Sequence, residues 1–368
     1  MNILDYVDFR GDILFSERGL NEVDNLIFSE LSYLELEKIM GNGTDTSMTL
    51  TELKSAYEKI RDGVEYAFSD PWPLLAKCAS SERFRDVAVK WYVNRVDEAQ
   101  QAQFSALSFF YGDNDMFIAY RGTDGNFAGW REGFSFSFLD ETAGQRLAVE
   151  YLNDAGRKTA EGYGPEGIRI TVGGHSKGGN FAEYAAAFCD EALRERVVRV
   201  YSNDGPGYNK AVTETDEYRE VLPKVIKIMP EASFIGNMLS GDEDIKYIKG
   251  EVKGLLQHDP FNWSVRGTEF EPADPGKAAA LAQETLNRWI LGMEEEERRE
   301  FTETVFGTIE GSGMETLADL HKKRLKSLIG LGKAVRSMDK EKQSKVRGAL
   351  KAMRTEAGKT IRSKRNSK

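Results

Sequence analysis

Residues Ile168–Gly179 read IRITVGGHSKGG, and they decide how the rest of the chain is read. Ile168–Val172 predicts an apolar strand, and Lys177–Phe188 (KGGNFAEYAAAF) predicts a helix of mostly small residues. Between them Gly174-His175-Ser176-Lys177-Gly178 fits G-x-S-x-G. That spacing suits a nucleophilic serine on a sharp strand-to-helix turn. A side chain at Gly174 or Gly178 would collide with the neighbouring strand or helix, and the helix aims its positive end at a developing oxyanion. The competing reading is a glycine-rich structural turn whose serine caps the helix.

Outward from this stretch, strands and helices alternate. Phe104–Phe110 and Met116–Tyr120 are apolar runs joined by a turn rich in Gly, Asp and Asn, which predicts a hairpin. Glu141–Arg157 predicts a helix, Val197–Tyr201 a strand, Asp216–Val221 a helix and Val225–Met229 a strand. Ile245–Lys249 and Glu251–Leu255 predict a late strand or hairpin. Alternation of this kind implies an α/β fold with a mainly parallel sheet and helices on both faces. On the N-terminal side, Asn21–Met40 predicts one amphipathic helix, followed by helical pieces near Thr51–Arg61 and Pro73–Ser80. Beyond Pro272 no strand pattern remains; Lys277–Met293, Glu294–Phe306 and Met314–Ser337 predict helices. The expected division is an N-terminal helical segment (1–80), a core (81–271) and a C-terminal helical extension (272–368).

Two motifs carry a resemblance. GGHSKGGNFAEYAA resembles the nucleophile elbow of the fungal-type class 3 lipases, members of the α/β-hydrolase superfamily. Phe117–Trp130 (FIAYRGTDGNFAGW) resembles the same family's FRG[TS] strand end and its following Asp-Trp, about 50 residues upstream. Lys177 stands where those lipases have Leu, as it does in a bacterial lipase-like branch of unassigned function. The resemblance spans roughly residues 85–270. It implies that Thr123 supplies one oxyanion donor and the Lys177 backbone N–H the other. Arg121 is expected to pair with an acidic neighbour, and Trp130 to pack beside the pocket.

A serine nucleophile needs a base, and the chain has three histidines. His175 adjoins Ser176, and neighbours on an elbow point apart, so it is expected to pack under the turn. His321 lies in the basic tail. His258, in LLQHDPFNW, follows the last strand signals, where the Ser…acid…His order of α/β-hydrolases needs its histidine. His258 is therefore the expected general base, against the alternative of a loop histidine bonded to Asp259. Two acids compete. Asp204 ends a strand 28 residues after Ser176, a position that resembles the acid of pancreatic-type lipases. Glu231 lies one strand later, a position that resembles the acid of class 3 lipases. Asp242 and Asp244 are less well placed.

Composition sets the frame. The chain has 368 residues and a net charge of -10, with no apolar run long enough to span a bilayer. From His321 to Lys368 there are 17 basic and 3 acidic residues, so a tail of +14 follows a body of -24. That tail is a candidate for weak contact with an anionic surface, but no specific nucleic-acid binding is expected. The N-terminus lacks a basic-then-apolar leader, which points to the cytoplasm. Cys78 and Cys189 read as buried free thiols. No phosphate loop or metal-ligand cluster is apparent, so neither cofactor nor metal is expected. The expected activity is hydrolysis of a carboxylic ester or lipid through an acyl-enzyme. The alternatives are a thioesterase, an acyltransferase, or a hydrolase-fold protein that binds or regulates.

Overall fold

A computed structural model describes residues 1–311, apart from 65, 67–68, 98–101, 124–130, 134, 161–166, 234, 240, 242, 253, 275–283, 286 and 288–291. Its centre is an eight-stranded sheet in the order β1-β2-β3-β4-β5-β6-β7-β8. The strands are β1 (Ser47–Thr49), β2 (Ala88–Asp97), β3 (Ala102–Tyr111), β4 (Asp115–Tyr120), β5 (Arg169–His175), β6 (Val197–Asn203), β7 (Val225–Pro230) and β8 (Ile245–Ile248). β1 to β4 run antiparallel, whereas every pairing from β4 to β8 is parallel.

The pleat sends alternate residues of β4 to two different cores. Met116, Ile118 and Tyr120 pack against α6 (Ala143–Ala160), α7 (Lys177–Phe188) and α8 (Asp216–Val221). Phe117 and Ala119 face the other layer, built from α1 (Ile3–Arg10), α2 (Glu22–Leu31), α4 (Leu50–Tyr57) and α5 (Trp72–Cys78). Helices thus cover both faces, as α/β patterning demands.

Four departures from the sequence reading have local causes. Asn21–Met40 is not one helix: α2 ends at Leu31, and Glu37–Met40 forms a separate turn, α3. Ser32 Oγ donates to the Ser29 carbonyl and the chain tightens into three-residue turns there. Nor is α2 amphipathic, since every residue from Val23 to Leu31 is buried. β1 and β2 carried no recognised signal. In β2 the period-two pattern is broken at Trp91, whose φ is +59°, where the register with β3 shifts. The described residues of Glu251–Leu255 add no strand; Gly254–His258 winds into a 3₁₀ turn, held by the Trp263 indole N–H donating to the Gln257 carbonyl. Most of Lys277–Met293, all of Met314–Ser337, His321 and the basic tail lie outside the described residues, as do Trp130 and Asp242. Of Glu294–Phe306, all but Glu294 falls within α9 (Glu295–Gly311). No described helix is long and apolar enough to cross a membrane.

Candidate active site

The carboxyl ends of β4, β5 and β6 meet at one point. β5 ends at His175, and Ser176 turns the chain into α7 with φ 57° and ψ −128°. A non-glycine residue rarely adopts such a conformation, and it persists where the surroundings enforce it. Here the Ser176 N–H donates to the Asn203 carbonyl at 2.9 Å. The glycines permit the close approach. A Cβ on Gly178 would lie 2.0 Å from the Tyr120 carbonyl oxygen, and one on Gly174 would lie 2.4 Å from Gly178. The Ser176 side chain does not cap α7, so the capping reading of this turn fails.

That hydroxyl points to His258 instead. Ser176 Oγ lies 2.9 Å from His258 Nε2, and His258 Nδ1 lies 2.7 Å from Asp204 Oδ2. All three side chains are buried. A carboxylate only accepts, so Nδ1 carries the hydrogen that Asp204 receives, and Nε2 accepts from the serine hydroxyl. Asp204 sits one residue beyond β6 with φ +53°, its N–H donating to the Ile228 carbonyl. Glu231, the rival acid, stands at the end of β7, where its N–H donates to the Ile248 carbonyl. The structure brings Asp204, and not Glu231, to the imidazole. Asp259 turns away from the His258 ring, its carboxylate accepting from Ser69 Oγ and from the Phe261 N–H.

His175 packs under the turn as expected, and does more there. Its Nε2 lies 2.8 Å from the His258 carbonyl oxygen, and the two rings are 4.6 Å apart. Its Nδ1 faces the Tyr33 hydroxyl at 3.2 Å and Glu30 Oε1 at 3.4 Å. Burial pushes the Glu30 carboxyl well above its ordinary range and the His175 imidazole well below its own. Both shifts favour the uncharged form of each group, beside the His258 loop that His175 holds.

Helix α2 supplies a second support. Asn203 Nδ2 donates to Asn25 Oδ1, Ser29 Oγ and the Gly174 carbonyl, and Asn25 Nδ2 donates back to Asn203 Oδ1. Asn203 thereby ties α2 to the strand end on which Ser176 turns. Sequence reasoning missed Asn25, Ser29, Glu30 and Tyr33, because polar residues in an amphipathic helix are assigned to solvent. The available signal was their spacing: Asn25, Ser29 and Ser32 recur on one face.

The oxyanion segment adjoins the serine. A Cβ on Gly122 would lie 3.2 Å from Ser176 Cβ and 2.5 Å from the His175 carbonyl oxygen, so Thr123, itself buried, follows directly past the nucleophile. Lys177 is the first residue of α7, which leaves its N–H without an intrahelical partner. Its side chain leaves the site altogether. Buried, it donates from Nζ to Glu132 Oε2 at 2.6 Å and to the Gln103 carbonyl at 2.8 Å. Glu132 Oε1 accepts the Gly144 N–H. Among the described residues Arg121 makes no ion pair; its Nη2 donates to Asn94 Oδ1 at 2.7 Å. Cys78 and Cys189 are free and buried. Among the described residues no group of three or more His, Cys, Asp or Glu side chains is arranged to hold a metal ion.

Sheet order, strand–turn–helix elbow and the relay behind it define the class: a lipase-like α/β-hydrolase fold. The family model described as Mbeg1-like matches residues 78–307, and the chain belongs to the Mbeg1-like family. Two solved lipases are similar to it. M37 lipase shares 15% identity over 58% of this chain and 68% of its own, with a TM-score of 0.36. A Rhizomucor miehei lipase propeptide complex shares 12% identity over 62% of this chain and 86% of its own, with a TM-score of 0.33. Likenesses at those scores add nothing to what the sheet and the elbow establish. No curated protein matches the chain in sequence.

Proposed function

We propose that the chain is a serine hydrolase that cleaves a carboxylic ester through an acyl-enzyme on Ser176. The observation that carries this reading is the continuous hydrogen-bond chain from Asp204 through His258 to Ser176 Oγ. In the first step His258 Nε2 takes the hydroxyl proton as Oγ attacks the ester carbonyl. The tetrahedral oxyanion forms between the backbone N–H groups of Thr123 and Lys177. Each such donor accounts for roughly a hundred- to thousandfold in rate. His258 then gives its proton to the departing alcohol, and water repeats the sequence on the acyl-enzyme. Asp204 orients the imidazole and stabilises the imidazolium without taking its proton.

We assign the catalytic core to residues 81–271, standing on helices from 1–80 and followed by the extension 272–368. A cytoplasmic setting accords with two buried free thiols. Turnover of short-chain p-nitrophenyl esters by purified protein tests the reading. Hydrolysis by wild type that disappears in Ser176→Ala and His258→Ala supports it. Equal rates in all three would overturn it.

A further inference from the structure

Among the described residues one buried charge near the nucleophile is left without a counter-ion. Arg121 is 4% exposed and stands one residue before Gly122, the residue packed against Ser176. Its guanidinium makes no ion pair among the described residues; Nη2 is bound by a neutral amide, and the buried Nε has no hydrogen-bond partner. Among the described residues, the carboxyls near the site are occupied otherwise. Glu132 serves Lys177, and Asp204 serves His258. Glu30 faces His175, and Glu37 is exposed. A charge removed from water normally finds an opposite charge, so a lone one marks a place where a ligand supplies it.

The surroundings point the same way. Tyr92, Ser105 and Gln103 are buried on the face of the sheet that Arg121 occupies. Both polar atoms of the Gln103 amide lack hydrogen-bond partners, and the Tyr92 and Ser105 hydroxyls face each other beside Arg121. Buried polar atoms are usually satisfied, and here Arg121 and Gln103 each leave at least one unsatisfied. Half-buried Asn94 stands at the rim. The corner gathers donors around a single cation, a set that matches one negative charge. The planar guanidinium fork matches a carboxylate better than the more highly charged phosphate monoester.

We propose that Arg121, with Asn94, Gln103, Tyr92 and Ser105, forms a carboxylate subsite beside the nucleophile. The preferred ester would then carry a carboxylate a few bonds from its scissile carbonyl. This rests on the hydrolase reading and deepens it. It also runs against the protein's long-range field, because the body outside the basic tail carries -24 and repels anions. A preference for an anionic ester therefore needs a local cause.

The test compares two esters of equal acyl length, p-nitrophenyl valerate and mono-p-nitrophenyl glutarate, by the ratio of their kcat/KM values. Wild type is expected to favour the glutarate. In Arg121→Met the glutarate-to-valerate ratio is expected to fall roughly 30-fold, the scale of losing one partner of a desolvated charge pair. Arg121→Lys, which keeps the charge but not the fork, should fall between them. A wild-type ratio below one overturns the subsite even if the variants do not fold. An unchanged ratio in folded variants overturns it as well. Labelling of Ser176 by a neutral fluorophosphonate separates the two failures, because a labelled enzyme without carboxylate preference keeps the hydrolase reading and loses only the subsite.

Discussion

Two residues separate the competing accounts of the acid. Asp204 lies 2.7 Å from His258 Nδ1, whereas Glu231 stands one strand away. Asp204→Asn presents an amide to Nδ1 and favours the wrong imidazole tautomer, so ester turnover should fall about 10³- to 10⁴-fold. Glu231→Gln should keep turnover within about threefold, since a half-buried side chain outside the relay touches no reacting atom. Steady-state p-nitrophenyl ester kinetics checks both, and the reverse order would move the acid to β7. Gly178→Ala tests the elbow itself. Its new methyl would meet the Tyr120 carbonyl oxygen at 2.0 Å, and neither strand nor helix can yield without displacing Ser176. A stability loss of about 3 kcal/mol or more is expected in urea denaturation. A variant as stable as wild type would show that the turn is looser than its geometry implies.

Elements are held to one another by buried polar pairs, and these can be taken apart. Lys177 at the start of α7 reaches Glu132, which in turn receives the Gly144 N–H near the start of α6. Lys177→Met leaves a buried carboxylate unpaired and should cost about 3–5 kcal/mol, while Lys177→Met with Glu132→Leu should recover at least half of that. Denaturation midpoints of the three proteins check it; additive losses would mean the pair is not coupled. The same pair shows what the chain alone could tell. The residues of the hydrogen-bonded relay were legible, because Ser176 sits in a local motif and, of three histidines, His258 alone stands on the loop just after the late strand, with His321 far out in the basic tail. Asp204 was legible as one of two alternatives, since choosing between them needs the distance to an imidazole 54 residues away in sequence. Lys177–Glu132, Asn25–Asn203 and His175–His258 join segments 45, 178 and 83 residues apart, and no local pattern announces them. The parallel half of the sheet followed from alternating elements. β2 escaped notice because the bulge at Trp91 breaks its alternation.

At the scale of the molecule, the two helical layers differ in what they enclose beside the sheet. Behind α7, Glu183 lies fully buried with Lys227, Glu243 and the Tyr218 hydroxyl, and burial raises its carboxyl to about 7. A carboxyl whose folded pKa exceeds its unfolded value stabilises the fold while protonated in the native state. That contribution is lost as pH rises from about 4.5 towards 7. Glu183→Gln removes the titration, so its melting temperature should gain on wild type between pH 5 and pH 8. A difference that stays constant with pH would show that Glu183 is ionised throughout. On the opposite face, α2 stands under the elbow and the His258 loop, so the N-terminal layer is the foundation of the site. The account as a whole turns on one property of the intact chain, an activated serine at the end of β5. Incubation with a fluorophosphonate probe measures it directly. The account predicts covalent labelling at Ser176 in wild type, abolished in Ser176→Ala and strongly slowed in His258→Ala. Folded wild-type protein that takes up no label would contradict it.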